Sequence, residues 1–450
     1  MARGASRAME GEEMVVPMQL DSDQWQADLD HLVEGLHRTH RNLFHTTSPE
    51  AFDRAVRFLR GRLPTLAWHE VVVEFARLVA SIGDGHTVLR LTEVPGFRRY
   101  PAVFHHVSDG LHVRAIASEH ADVAGARLIA VGDTPIDEVY AILRPLVSRD
   151  NEMGVLAGVP PLLAIPEVMH ACGLAADPDE VTFTLQRRDG TATSVALSAV
   201  PSMPGGLVDA RDATTAPTPH WLQRSAEENW FGRVDGTDAL YVAYNRVRDS
   251  DGEPLSVFFD RLFETIEGEG IERLILDIRL NHGGNNLLNQ ALIHHLVRCD
   301  RVNRWGGLFA IIGRHTFSAA MNLAVDLERH TRVLFVGEPT GSSPNHYGEN
   351  GTVVLPHSGL RVSVSMLWWQ VSIPHDDRPW ILPDLPARLG SGDYAANHDP
   401  AVDAALRDEG GATEPLPYPD RLFAQLQRSH PRPVTTAPGA APRPADDAHA

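Results

Sequence analysis

The sequence predicts an α/β protein that begins with a helical segment and a small β-rich module, on three observations. Residues 21–79 carry apolar side chains at helix spacing, residues 101–200 break into short alternating apolar and polar runs, and from about residue 239 buried-type strands alternate with helices. At 450 residues, 43% hydrophobic and 22% charged, the chain is long enough and apolar enough to bury more than one core.

Residues 1–20 mix Arg3 and Arg7 with Glu10, Glu12 and Glu13 and lack the continuous apolar run of a signal peptide, so a flexible N-terminus is expected. In residues 21–95, Trp25, Leu29, Leu32 and Leu36 recur every three or four positions, as do Phe52, Val56 and Leu59 after a turn at 47–49. A third apolar helix is expected over 71–79, running into the glycine-bearing turn at 81–87. Residues 96–200 form the β-rich module, with strands expected at 111–116, 126–131 and 181–185 and a helix at 136–143. Pro201, Pro204, Gly205, Gly206, Pro217 and Pro219 mark 201–224 as a linker. Residues 225–410 read as the α/β domain: strands at 274–278, 308–312 and 333–336, helices at 287–297 and 319–327, and a hairpin joining 352–355 to 360–366. The proline- and alanine-rich stretch 411–450 is expected to be largely disordered.

Composition narrows the function. Asp and Glu number 59 against 40 basic residues, a formal charge of -19, which argues against a general nucleic-acid or anionic-membrane surface. All 40 basic residues are arginine; the chain contains no lysine. Its two cysteines, Cys172 and Cys299, fit neither a disulfide framework nor a zinc spacing and are expected to be buried thiols in a reducing, cytoplasmic setting. No run of about 18 apolar residues predicts a membrane span. The pairs His37/His40 and His105/His106 lack a third ligand at a recognisable spacing, so neither metal nor other cofactor is expected.

Four short pieces carry candidate chemistry. Ser318, in His-Thr-Phe-Ser-Ala-Ala at 315–320, falls where a strand gives way to a helix; there the helix N-terminus and nearby amides can face a reacting oxygen. The blander reading makes Ser318 a helix N-cap. Gly283 and Gly284 follow the strand motif Asp-Ile-Arg-Leu-Asn-His at 277–282 and let backbone amides approach a ligand, as an oxyanion hole requires, or simply make a tight turn. His86, in Asp-Gly-His-Thr at 84–87, can act as a general base, with His282, His315 and His346 as alternatives. Gly-Glu-Pro-Thr-Gly at 337–341 leads to Glu349, which can orient a protonated histidine or be a solvated turn residue.

In this order the four motifs resemble the tail-specific and C-terminal processing peptidase family, which includes the tricorn core protease and retinoid-binding repeat relatives. The resemblance spans about residues 20–410, with Asp399-Pro-Ala-Val matching the family's closing helix. It implies a crotonase- or Clp-protease-like spiral core, a PDZ-like role for the β-rich module, and an oxyanion hole from an amide of the Gly283–Gly284 turn together with that of Ala319. One branch of the family uses a lysine base about 25 residues after the serine, which this chain cannot supply. The resemblance therefore implies the histidine branch, with Ser318, His86 and Glu349 as the catalytic group. Gly85 stands where the tricorn pattern has serine, and no Gly-Leu-Gly-Phe loop for binding C-termini is recognisable. The expected activity is a serine peptidase acting on a peptide or protein. The alternatives are hydrolysis of a small ester, lactone or amide, or non-catalytic ligand binding; homo-oligomerisation is compatible with each.

Overall fold

Strand-forming runs of Val, Ile, Leu and Phe organise the chain into three sheets; the computed structural model describes residues 19–250, 252–408, 418 and 420–429. The six-stranded sheet runs Leu385–Pro386, Leu334–Gly337, Leu308–Ile312, Arg273–Asp277, Ala239–Tyr244 and Asn229–Arg233. Its pairings are parallel except at the last strand, which runs antiparallel to its neighbour. Side chains alternate between two apolar layers, as a strand buried on both faces requires. Leu240, Val242, Leu274, Leu276, Leu308 and Ala310 meet helices Leu255–Gly268, Asn289–Arg298 and Ala319–His330 on one face. Tyr241, Ile275, Phe309 and Ile311 meet helix Pro400–Arg407 on the other.

The β-rich module is a seven-stranded sheet, ordered Ala102–Val107, Gly110–Ile116, Arg127–Val131, Glu180–Gln186 and Ala192–Ser198, with two short strands attached at its side. One of these, Val208–Asp209, comes from the stretch expected to be a linker and pairs with Gly110–Ile116. Two helices not foreseen from the sequence, Glu152–Leu162 and Pro166–Ala171, follow the expected Ile136–Leu143.

The third sheet is a long hairpin, Asn345–Val354 and Arg361–Gln370, joined by the short strand Val88–Leu89 just after the Asp-Gly-His-Thr turn. One continuous apolar core includes Trp25, Leu32, Phe75, Leu128 and Val181 with Val353, Val362 and Val364 of that hairpin. The opening helices Ser22–Thr39, Pro49–Arg62 and Trp68–Ala80 thus share a core with the module and with a hairpin far along the chain. This packing holds the His86 turn beside the α/β domain.

The tail corrects one expectation. Residues 420–429, within the stretch read as disordered, form helix Asp420–Ser429, in which Leu422 and Gln425 are fully buried and Arg421 donates to the Val333 carbonyl at 2.7 Å. The rest of the expected disorder beyond residue 408, apart from Tyr418, and the expected flexibility of residues 1–18 lie outside the described residues. Cys299 is buried as expected, whereas Cys172 is only half-buried. No helix among the described residues is long and apolar enough to cross a membrane.

Candidate active site

Ser318 is the residue before helix Ala319–His330 and adopts φ 55° and ψ −125°, a conformation costing a residue with a Cβ about 1–3 kcal/mol unless its surroundings impose it. They do so through the preceding loop. The Thr316 hydroxyl donates to the Ile278 carbonyl at 2.9 Å and accepts from the Gly313 N–H at 3.0 Å, while the Phe317 N–H donates to the Asn281 carbonyl at 3.1 Å. Although Ser318 occupies the N-cap position, its side chain accepts no capping bond, so the N-cap reading does not account for it. Its hydroxyl makes no hydrogen bond among the described residues.

The glycine turn lies directly against this serine. A Cβ on Gly283, whose φ is +95°, would stand 2.7 Å from the Ser318 Cβ and 2.8 Å from the Ala319 nitrogen. A Cβ on Gly284, at φ +145°, would fall 2.2 Å from the Val247 carbonyl oxygen. Glycine is therefore required at both positions. The Gly283 N–H is already committed, donating to Asn281 Oδ1 at 2.8 Å. Val247 bonds the turn on either side of Gly284, its N–H donating to the Gly283 carbonyl at 3.1 Å and its carbonyl accepting from the Asn285 N–H at 2.7 Å. Ala319, at the first helical position, has an N–H without an intrahelical acceptor.

His86 is 6% exposed, and neither ring nitrogen has a hydrogen-bond partner among the described residues. Its faces are confined by Phe317, at a centroid distance of 4.4 Å, and by His346, nearly parallel at 5.5 Å. Burial foremost, with His346 and Arg90 adding to it, pushes its pKa down to about 4 against the opposing pull of Asp150 and Asp84. The turn is built around Asp84, whose Oδ1 accepts from the His86 and Thr87 amides at 3.0 and 2.7 Å and from the Ser365 hydroxyl at 2.7 Å. Its Oδ2 lies 2.9 Å from His40 Nε2. Because His40 Nδ1 accepts from the Asn42 N–H at 3.0 Å, Nε2 carries the proton and donates. Burial alone would raise the Asp84 pKa; these bonds outweigh it and hold it at about 2.

Two cavities meet at Ser318. One, of about 580 Å³, is lined by His86, Gly284, Ser318, Ala319, His346 and Glu349, among others. The second, of about 470 Å³, is lined by His86, Ser318, His282 and His315, among others. Only His86, Ser318 and Asn350 border both. Glu349 is exposed at φ 56° and makes no hydrogen bond to His86. Of the alternative bases, His346 donates Nδ1–H to the Ser343 carbonyl at 3.0 Å, and burial pushes its pKa down. His282 and His315 pack against each other at 5.0 Å. Burial, His282 and Arg314 push His315 to about 3.

Several supporting residues escaped the sequence reading. Asp150 Oδ1 accepts from the Gly85 N–H at 2.7 Å, and its Oδ2 from the Ser342 hydroxyl at 2.5 Å, tying the His86 turn to the loop that follows the Gly-Glu-Pro-Thr-Gly motif. Asn289 accepts from the Tyr244 hydroxyl at 2.9 Å and donates to the Ala319 carbonyl at 2.9 Å. Arg279 bridges Asp277 and Asp399, both at 2.8 Å. Only the last was foreshadowed, by the Asp-x-Arg spacing and the Asp399 helix start; nothing local in the sequence singles out Asp150.

The arrangement is a mixed α/β scaffold that places a strained serine beside a buried, unpartnered histidine. No protein-family model and no curated protein matches the sequence. Among solved structures, mature CPAF superposes with a TM-score of 0.58 at 14% identity, over 90% of this chain and 98% of its own. Mature CPAF complexed with lactacystin gives the same score and identity, over 90% and 100%. A looser likeness, TM-score 0.37 at 14% identity over 89% of this chain and 100% of the other, links it to the photosystem II D1 C-terminal processing protease. The chain has the fold of mature CPAF.

Proposed function

We propose that the chain is a serine peptidase with Ser318 as nucleophile and His86 as general base. His86 Nε2 or Nδ1 takes the Ser318 proton as the oxygen attacks a peptide carbonyl, and the imidazolium then protonates the leaving amine. The developing oxyanion is received by the amides of Gly284 and Ala319. Gly284 is favoured over Gly283 because the latter's N–H is spent on Asn281. Water then cleaves the acyl-enzyme with His86 again as base. Glu349, on the rim of the same cavity, stabilises the imidazolium through space or through water rather than by the direct contact of a tight triad.

The observation that carries this reading is Ser318 itself: a non-glycine residue at φ 55°, uncapped, between two cavities that share His86. Of the four non-glycine residues at positive φ among the described residues, Ser318 and Glu349 both border this cleft. Strain of that kind concentrates where function requires it. The spiral core, the PDZ-like role of the β-rich module and a cytoplasmic location are part of the same proposal and rest on the sequence resemblance.

The test is labelling with a fluorophosphonate, or with lactacystin, followed by peptide mapping. Modification at Ser318 that disappears in Ser318→Ala, together with loss of peptide hydrolysis in a chain that still folds, is the expected result. Full hydrolysis by Ser318→Ala would refute it. A parallel ester and lactone panel separates peptidase from small-molecule hydrolase.

A further inference from the structure

The two cavities that meet at Ser318 differ in charge. The larger is lined by Glu349 and by the amides of Asn285, Asn286, Asn322 and Asn350. The other is lined by Arg90, Arg149, Arg246 and Arg314 with three histidines, and by no aspartate or glutamate. In a chain of formal charge -19, a cavity beside the candidate nucleophile whose charged lining residues are all arginines stands against the general charge balance.

The arginines are not equally available. Arg314 is neutralised by a bidentate pair with Glu338, at 3.0 Å from Nε and 2.6–2.8 Å from Nη2. Arg149 donates only to backbone carbonyls, Val147 at 2.8 Å and Arg144 at 3.3 Å. Arg90 donates to the Ser363 hydroxyl at 3.2 Å and has one long contact, 3.8 Å, with the solvent-exposed Glu93. The exposed Arg246 guanidinium makes no hydrogen bond or ion pair among the described residues; only its backbone N–H is bonded, to Asn229. The arginine field is felt by His282: burial, then Arg246 and Arg90, push its pKa down.

We propose that this cavity is an acidic subsite, taking an aspartate or glutamate side chain of the peptide whose scissile bond is presented to Ser318. Arg246, Arg90 and Arg149 supply the charge-assisted donors that a carboxylate needs. This rests on the peptidase reading for the identity of the ligand, and its test does not depend on turnover. Full-length Ser318→Ala is titrated, by fluorescence anisotropy, with peptides acetylated and amidated at their ends and carrying Glu, Gln or Lys at each position in turn. At one position Glu binds about tenfold tighter than Gln and Lys binds weakest, the difference shrinks as salt rises, and Arg246→Glu erases or inverts the order.

Equal affinity for Glu and Gln at every position, absence of binding by any peptide, or an order unchanged in both Arg246→Glu and Arg90→Glu would overturn the proposal. So would a preference that exists only when the peptide's C-terminus is free, since the α-carboxylate would then be the ligand. Turnover by the unaltered chain is measured separately. Selective binding of Glu peptides without hydrolysis leaves the subsite standing and the peptidase reading fallen; hydrolysis indifferent to acidic residues does the reverse.

Discussion

Ser318 keeps its unfavourable backbone because Thr316, Phe317 and Gly283 leave it no alternative, and that confinement makes Gly283 a sensitive reporter. Gly283→Ala must fit a methyl group 2.7 Å from the Ser318 Cβ and 2.8 Å from the Ala319 nitrogen. We expect turnover to fall by more than about a hundredfold at a stability cost of roughly 1–3 kcal/mol, read from kinetics and urea melts on one preparation. In the proposed mechanism His86 sets the pH dependence. With its pKa depressed to about 4, the ring is neutral and able to accept the serine proton above that value, so activity should be flat near neutrality and fall only as pH drops through about 4. A limb near pH 6.5 instead would assign the base to an unburied histidine. Asp84 governs stability over an adjacent window. Its folded pKa of about 2 lies below the ordinary 3.8, so its contribution, roughly 2 kcal/mol, is complete above pH 3.8 and disappears as pH falls through about 2. In Asp84→Asn that part of the pH–stability curve should vanish.

At the scale of elements, what the sequence reveals depends on whether a segment's order is local. The helices Ser22–Thr39 and Pro49–Arg62 are legible because their apolar stripes are clean and Asp21 and Ser48 cap them. Helix Glu152–Leu162 is not, since it is apolar on several sides and ends in Pro160 and Pro161, which read as breakers. The tail helix Asp420–Ser429 follows a proline-rich stretch and takes its order from what it docks on. Arg378, fully buried, is held by Asp376 and Glu328 at 2.8 and 2.9 Å, and Gln425 of the tail helix accepts from it at 2.7 Å. Arg378→Ala leaves two carboxylates facing each other without a cation and should cost about 3–5 kcal/mol, and truncation after Asp408, which removes the Gln425 acceptor together with the buried Leu422 and the Arg421 bond to the Val333 carbonyl, should cost a comparable amount. Thermal melts of the two variants give the comparison. The site divides in the same manner: Ser318, His86, Gly284 and Ala319 sit in motifs, while Asp150 acts on Gly85 from 65 residues away, a relation visible only once the chain has folded.

For the whole molecule, the stretch 201–224 is a connection rather than a hinge. The Tyr394 hydroxyl donates to Asp209 at 2.9 Å and accepts from Arg114 Nε at 2.8 Å, and Arg314 Nη1 donates to the His106 carbonyl at 2.8 Å, so the β-rich module is fastened to the α/β domain on its far side. A protease cut in the exposed residues 201–206 should therefore leave two fragments that co-elute as one species in native gel filtration; separate elution would mean these contacts do not hold. The same long-range stitching has a temporal side. Asp28, fully buried on the first helix, accepts the His357 and Ser358 amides, both at 2.9 Å, across separations of 329 and 330 residues. A ribosome adding about 5–20 residues per second takes roughly 15–65 seconds to make that span. Throughout that interval the nascent N-terminal half exposes an apolar helix face and a carboxylate with no acceptor role to fill, and the His86 turn waits for its serine. Newly made chains should thus be clients of chaperones while still attached to the ribosome, and the hydrolytic competence proposed above should appear only after residues 357–358 have emerged.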